Sequence, residues 1–91
     1  MVIEFSPAKD ILNIRDHKVS LAFMGRFDLT RTVIGTAKTV KGESREWAMC
    51  EVDGRVWFAV FVKRGVAFRP ISVRPASDRE RERYAESIKN L

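Results

Sequence analysis

The sequence predicts one α+β domain spanning residues 1–91, with helices packed against a small antiparallel sheet. Three observations carry that expectation. Val56 to Val62 is a run of seven apolar residues, rich in β-branched and aromatic side chains, too short for a typical helix and suited to a strand buried on both faces. Asp53-Gly54, just before it, is a type I′ hairpin signal joining that central strand to another over Glu46 to Val52. Helix starts stand near both ends of the chain: Ser6-Pro7, a capping hydroxyl followed by a proline suited to the first turn, and the capping box Ser77-x-x-Glu80.

Taken in order, Val2 to Phe5 is a short extended segment ended by Ser6-Pro7. The helix that follows has Ile11, Leu12 and Ile14 as a narrow apolar stripe expected to lie on the sheet, with Lys9, Asp10, Arg15 and Asp16 on its polar side. His17-Lys18 breaks the pattern. Val19 to Phe27, with Leu21, Phe23, Met24 and Phe27 as core residues and Ser20 near its start, predicts a second N-terminal helix. Thr30 to Val40, rich in Thr and Val and punctuated by Gly35, reads as a short or bulged edge strand. After the central strand, Lys63-Arg64-Gly65 is a turn, and Val66 to Arg74 returns as the last strand. Pro70 has no amide to donate, which places this strand at an edge or puts a bulge near Arg69. The bulge has a consequence, because Arg69 and Arg74 are an odd number of residues apart and would otherwise point to opposite sides. The C-terminal helix alternates Arg79, Glu80, Arg81, Glu82 and Arg83 along a solvated side and offers only Tyr84, Ala85 and Ile88 as an apolar face.

Charge is unevenly distributed. Residues 54–75 contain Arg55, Lys63, Arg64, Arg69 and Arg74 and no carboxylate, so their net +5 equals that of the whole chain. A polyanion, nucleic acid first, is the partner that such a hairpin fits, although strand ends also carry Lys and Arg simply to guard against edge-to-edge association. An apolar fraction of 45% with 32% charged residues excludes a disordered chain. The single Cys50 excludes an internal disulfide and reads as a small core residue in a reducing compartment. No basic segment leads into an apolar stretch at the start and no apolar run reaches membrane-spanning length, so the expected location is the cytoplasm, with no membrane partner. One His, one Cys and scattered carboxylates give no zinc or calcium spacing, and no glycine-rich phosphate loop is present; no metal or other cofactor is expected. Chemistry within reach of Arg, Lys, His, Tyr and Glu alone includes metal-free RNA cleavage, which needs a proton acceptor, a proton donor and cations for the developing phosphorane charge.

Two stretches carry a family resemblance. The opening IEFSPAKDILNIRDH, with Lys9, Asn13 and His17, and the ending RPISVRPASDRERERYAE resemble BrnT-type toxins of bacterial type II toxin-antitoxin pairs. The chain departs from that family at Asp16-His17-Lys18, at Ser72-Val73-Arg74, at Pro70, at Glu46 before Trp47, and over residues 28–46, which match poorly. The resemblance implies a RelE-like fold, two N-terminal helices on an antiparallel sheet with a C-terminal helix. It also implies an endoribonuclease that inhibits translation and is neutralised by a cognate DNA-binding antitoxin in a hetero-oligomer. Carried over by position, it points to Arg69 and Arg74 as phosphate-binding or catalytic, with His17, Glu80 and Tyr84 as further catalytic candidates. From the charge of the hairpin, and not from the resemblance, Lys63, Arg64 and Arg55 are expected to contact flanking RNA phosphates. Plainer roles stand beside these. His17 ends a helix, where an imidazole caps carbonyls; Arg69 and Arg74 have Glu80 and Glu82 as ion-pair partners; Tyr84 suits helix packing; Trp47 and Trp57 are candidates for base stacking, with Trp57 flanked by core residues. The rival function is a non-catalytic basic interaction protein within a DNA-binding repressor complex.

Overall fold

A computed structural model describes residues 1–91. In chain order the elements are β1 (Val2–Ile3), α1 (Pro7–His17), two short 3₁₀ segments (Leu21–Arg26 and Leu29–Arg31), β2 (Val33–Val40), β3 (Glu43–Val52), β4 (Arg55–Arg64), β5 (Ala67–Pro75) and α2 (Asp78–Ile88). The strands form one sheet in the order β1-β5-β4-β3-β2, so the apolar run of β4 occupies the centre, as its composition requires. Asp53 (φ 53°) and Gly54 (φ 82°) both take the left-handed conformation of a type I′ turn and close the β3–β4 hairpin.

The sheet is mixed where an antiparallel one is expected. Val2 and Ile3 pair in parallel with Ala67 and Phe68, and the ladder continues as far as the Glu4 amide on the Phe68 carbonyl. β1 therefore covers the start of β5, which is an inner strand there. Past Phe68 the register with β4 shifts between Val60↔Ser72 and Phe61↔Pro70, leaving Ile71 as the extra residue of a bulge. Arg69 (opposite Val62) and Arg74 (opposite Phe58) consequently lie on one face, since their β4 partners are an even number of residues apart.

The segment from Val19 to Phe27 is not an α-helix. Ser20 caps a single 3₁₀ segment whose first donors are already taken, because Asp10 accepts both the Ser20 hydroxyl (2.9 Å) and the Leu21 amide (2.7 Å). Phe27 returns to extended backbone, so only six residues are wound. Leu21, Met24 and Phe27 still bury on the sheet against Ala48, Cys50, Val52, Ala59, Phe61 and Val73, which is the core.

α1 is attached in an unusual way. Its apolar residues Ile11, Leu12 and Ile14 are exposed, at 66%, 48% and 44%, instead of lying on the sheet. The one buried residue of the helix is Asn13, whose amide donates to the Val19 carbonyl (2.8 Å) and the Val73 carbonyl (2.9 Å) and accepts the Val73 amide (3.2 Å). Asn13 thus completes the backbone bonding of β5 beyond the end of β1, where no further strand exists. α2 begins at the expected capping box, with Ser77 and Glu80 satisfying each other's backbone amides, and packs on the opposite face of the sheet.

Candidate functional site

Strand alternation divides the hairpin cations between two faces. Lys63 stands opposite Phe68 and lies over that ring, and Arg55 lies over Trp57; both are on the core side. Trp57 packs there against Phe23, with ring centroids 4.4 Å apart. The uniform basic surface expected of residues 54–75 is therefore absent. Arg64, Arg69 and Arg74 take the other face, and Arg64 is engaged by Glu43 at 2.9 Å near the hairpin tip.

The face toward α2 gathers a different set of groups. Trp47 of β3 and Phe58 of β4 lie 6.0 Å apart, within 18° of parallel, and form an aromatic floor. Gly35 is what lets Trp47 lie down: a Cβ at that position would fall 2.2 Å from Trp47 Cζ2. Arg74 lies over Phe58, with its guanidinium carbon 4.5 Å from the ring centroid, and Arg83 of α2 lies over Trp47 at 5.3 Å. Glu80, one turn before Arg83, receives both Arg74 amino groups, at 2.8 and 2.9 Å. This fork, helped by the Ser77 amide, holds the Glu80 carboxyl down at about 2, and the carboxylate in turn raises the Arg74 guanidinium. Arg45, two residues before Trp47 and so on the same face, has its Nε buried without a hydrogen-bond partner.

The other candidates sit elsewhere. His17 lines a cleft of about 210 Å³ between α1 and β5 together with Lys9, Leu12, Asn13, Asp16, Ile71 and Ser72. Ser72 connects that cleft to the aromatic face, because it pairs with Val60 and so shares Arg74's side of β5. Tyr84 is buried in the packing of α2, its hydroxyl donating to the Arg31 carbonyl at 2.8 Å, and burial pushes its ionisation above the ordinary range. No three His, Cys, Asp or Glu side chains come together as a metal site requires, and no helix is long and apolar enough to cross a membrane. Arg45 and Arg83 escape the sequence reading. Both signals were present in principle: Arg45 has Trp47's parity, and Arg83 follows Glu80 at i+3 on a helix.

Two guanidinia over an aromatic floor, with one carboxylate between them, give this small α+β protein a cationic face. A comparison with protein families gives that class a lineage. Residues 5–80 match the family described as "Ribonuclease toxin, BrnT, of type II toxin-antitoxin system", and the chain belongs to the BrnT family. A comparison with curated proteins finds no match.

Proposed function

We propose that this BrnT-family protein is a metal-independent endoribonuclease whose cleavage of RNA inhibits translation, working in the cytoplasm and held inactive by a cognate DNA-binding antitoxin in a hetero-oligomer. Its layout of N-terminal helices, sheet and C-terminal helix is in this reading a RelE-like one, with a 3₁₀ segment in place of the second helix. The observation that carries the reading is the Arg74–Glu80 fork over Phe58, an arginine fixed by two hydrogen bonds and a ring while a third of its side chain stays exposed.

In the proposed reaction the scissile phosphate takes Arg74 from Glu80. Phosphate binding and carboxylate release are then one event, and the released Glu80 rises from about 2 toward its ordinary value, becoming a better proton acceptor. The 2′-hydroxyl loses its proton as its oxygen forms a bond to phosphorus; the bond from phosphorus to the 5′-oxygen breaks, and that oxygen receives a proton. Products are a 2′,3′-cyclic phosphate and a 5′-hydroxyl. Arg74 and Arg69 stabilise the phosphorane charge, and His17, which lines the adjoining cleft together with Ser72, is the acid-base candidate. Tyr84 contributes by seating α2, and thereby Glu80. Arg64, Lys63 and Arg55 would meet flanking RNA only where the strand wraps the hairpin, since two of them lie on the opposite side.

One observation also fits the rival reading. Arg74 is paired with Glu80, as it would be in a basic interaction protein that serves a DNA-binding repressor complex without cleaving anything. Incubating the purified protein with end-labelled RNA in EDTA separates the two. Cleavage with cyclic-phosphate ends is expected; intact RNA bound stably by folded preparations, with or without a divalent ion, would favour the interaction protein, and cleavage only after a divalent ion is restored would overturn metal independence.

A further inference from the structure

We infer that Arg83 is a second phosphate-binding residue of the aromatic face, and that Trp47, seated on Gly35, is the residue that positions it. This inference rests on the ribonuclease reading and extends it to groups outside the hairpin. The two guanidinia lie over adjoining rings of one floor, Arg74 at 4.5 Å from Phe58 and Arg83 at 5.3 Å from Trp47, with the rings 6.0 Å apart. Only Arg74 has a carboxylate; Arg83 is in no salt bridge and is exposed. Two cations and Glu80 leave an uncompensated positive charge above the floor. A phosphate that displaces Glu80 from Arg74 meets Arg83 on the same floor, with its guanidinium already over the indole.

Three elements conspire in this placement. β2 supplies Gly35, where even a methyl group would collide with the indole; β3 supplies Trp47; α2 supplies Arg83 one helical turn after Glu80. An arginine resting on a ring loses less freedom when it binds a phosphate than one waving in solvent, so the ring's contribution is preorganisation. The ligand class is therefore a single-stranded RNA in which neighbouring phosphates engage Arg74 and Arg83.

The test is titration of RNA carrying 2′-deoxy nucleotides, which is bound but not cleaved, over a range of salt, with single-turnover cleavage of ordinary RNA alongside. Arg83→Gln is expected to weaken binding about five- to tenfold at low salt and to reduce the slope of log affinity against log salt by about 0.7, the value for one phosphate contact on a single strand. Trp47→Leu should give a similar loss, and adding Arg83→Gln to it should cost little more, because the two residues act as one unit. Gly35→Ala, which displaces the indole, should behave like Trp47→Leu. Arg83→Gln alters an exposed side chain, so it reads binding even if the Trp47 or Gly35 variants unfold. Parental affinity and salt slope in Arg83→Gln would overturn the inference while leaving the ribonuclease reading intact if the parent still cleaves. A parent that neither binds nor cleaves RNA would overturn both.

Discussion

Replacing Glu80 by Gln tests the fork at the heart of the site through stability, with no need for substrate. Glu80 stands at about 2 in the folded protein against an ordinary value of 4.5, chiefly because of its paired hydrogen bonds from Arg74. A depression of that size converts to a ceiling of about 3 kcal/mol. The side chains retain 33% (Arg74) and 21% (Glu80) exposure, so solvent screening reduces this to about 1–2 kcal/mol. The sign follows from the depressed folded value: the contribution is complete above the unfolded value of 4.5 and is lost as pH falls from there through 2. Urea unfolding of parent and Glu80→Gln at pH 7 should therefore differ by about 1–2 kcal/mol, and by less than half of that at pH 3. Other carboxylates titrate in both proteins and cancel in the difference. Equal stabilities at pH 7, or a difference that does not change between pH 7 and pH 3, would refute the closed fork.

Asn13→Ala should cost about 2–4 kcal/mol in urea unfolding, because it leaves the amide and carbonyl of Val73 and the carbonyl of Val19 without partners. A loss under 1 kcal/mol would show that water replaces the side chain. Tyr84→Phe should lower stability by about 1 kcal/mol, the worth of its bond to Arg31, and leave single-turnover cleavage within about twofold of parent. A hundredfold loss of rate in a folded Tyr84→Phe protein would instead make the hydroxyl a reacting group.

Much of the scaffold is legible in local chemistry. Seven apolar residues in a row can only be the middle of the sheet, Asp-Gly adopts the two left-handed conformations that a tight hairpin requires, and Ser77 with Glu80 caps a helix without help from afar. The bulge is legible too, since Pro70 interrupts donation and the odd spacing of Arg69 and Arg74 demands one if both are to share a face. What fails to show is whatever depends on distant backbone. Asn13 looks like a polar helix residue until Val73, 60 positions later, presents its amide and carbonyl. Ile11 and Ile14 look like a core stripe for the same reason: a periodicity says that a face exists, but not that anything covers it. The parallel pairing of Val2–Ile3 adds only two residues, too few to leave a pattern. In the site, adding charge along the hairpin overestimates the cluster, because alternation sends Lys63 and Arg55 to the core side, while Trp47, the glycine that seats it and the second guanidinium come from β3, β2 and α2.

The most direct measurement of the proposed chemistry is single-turnover RNA cleavage by Arg74→Lys. Lysine keeps the positive charge and loses the planar fork, so binding of 2′-deoxy-substituted RNA should stay near the parental value while the cleavage rate falls by about one to three orders of magnitude. Thermal melting of the same preparation confirms that the fold survives. A folded Arg74→Lys protein that cleaves at the parental rate would contradict the assignment of Arg74 to the reacting phosphate and leave its pairing with Glu80 a structural contact alone.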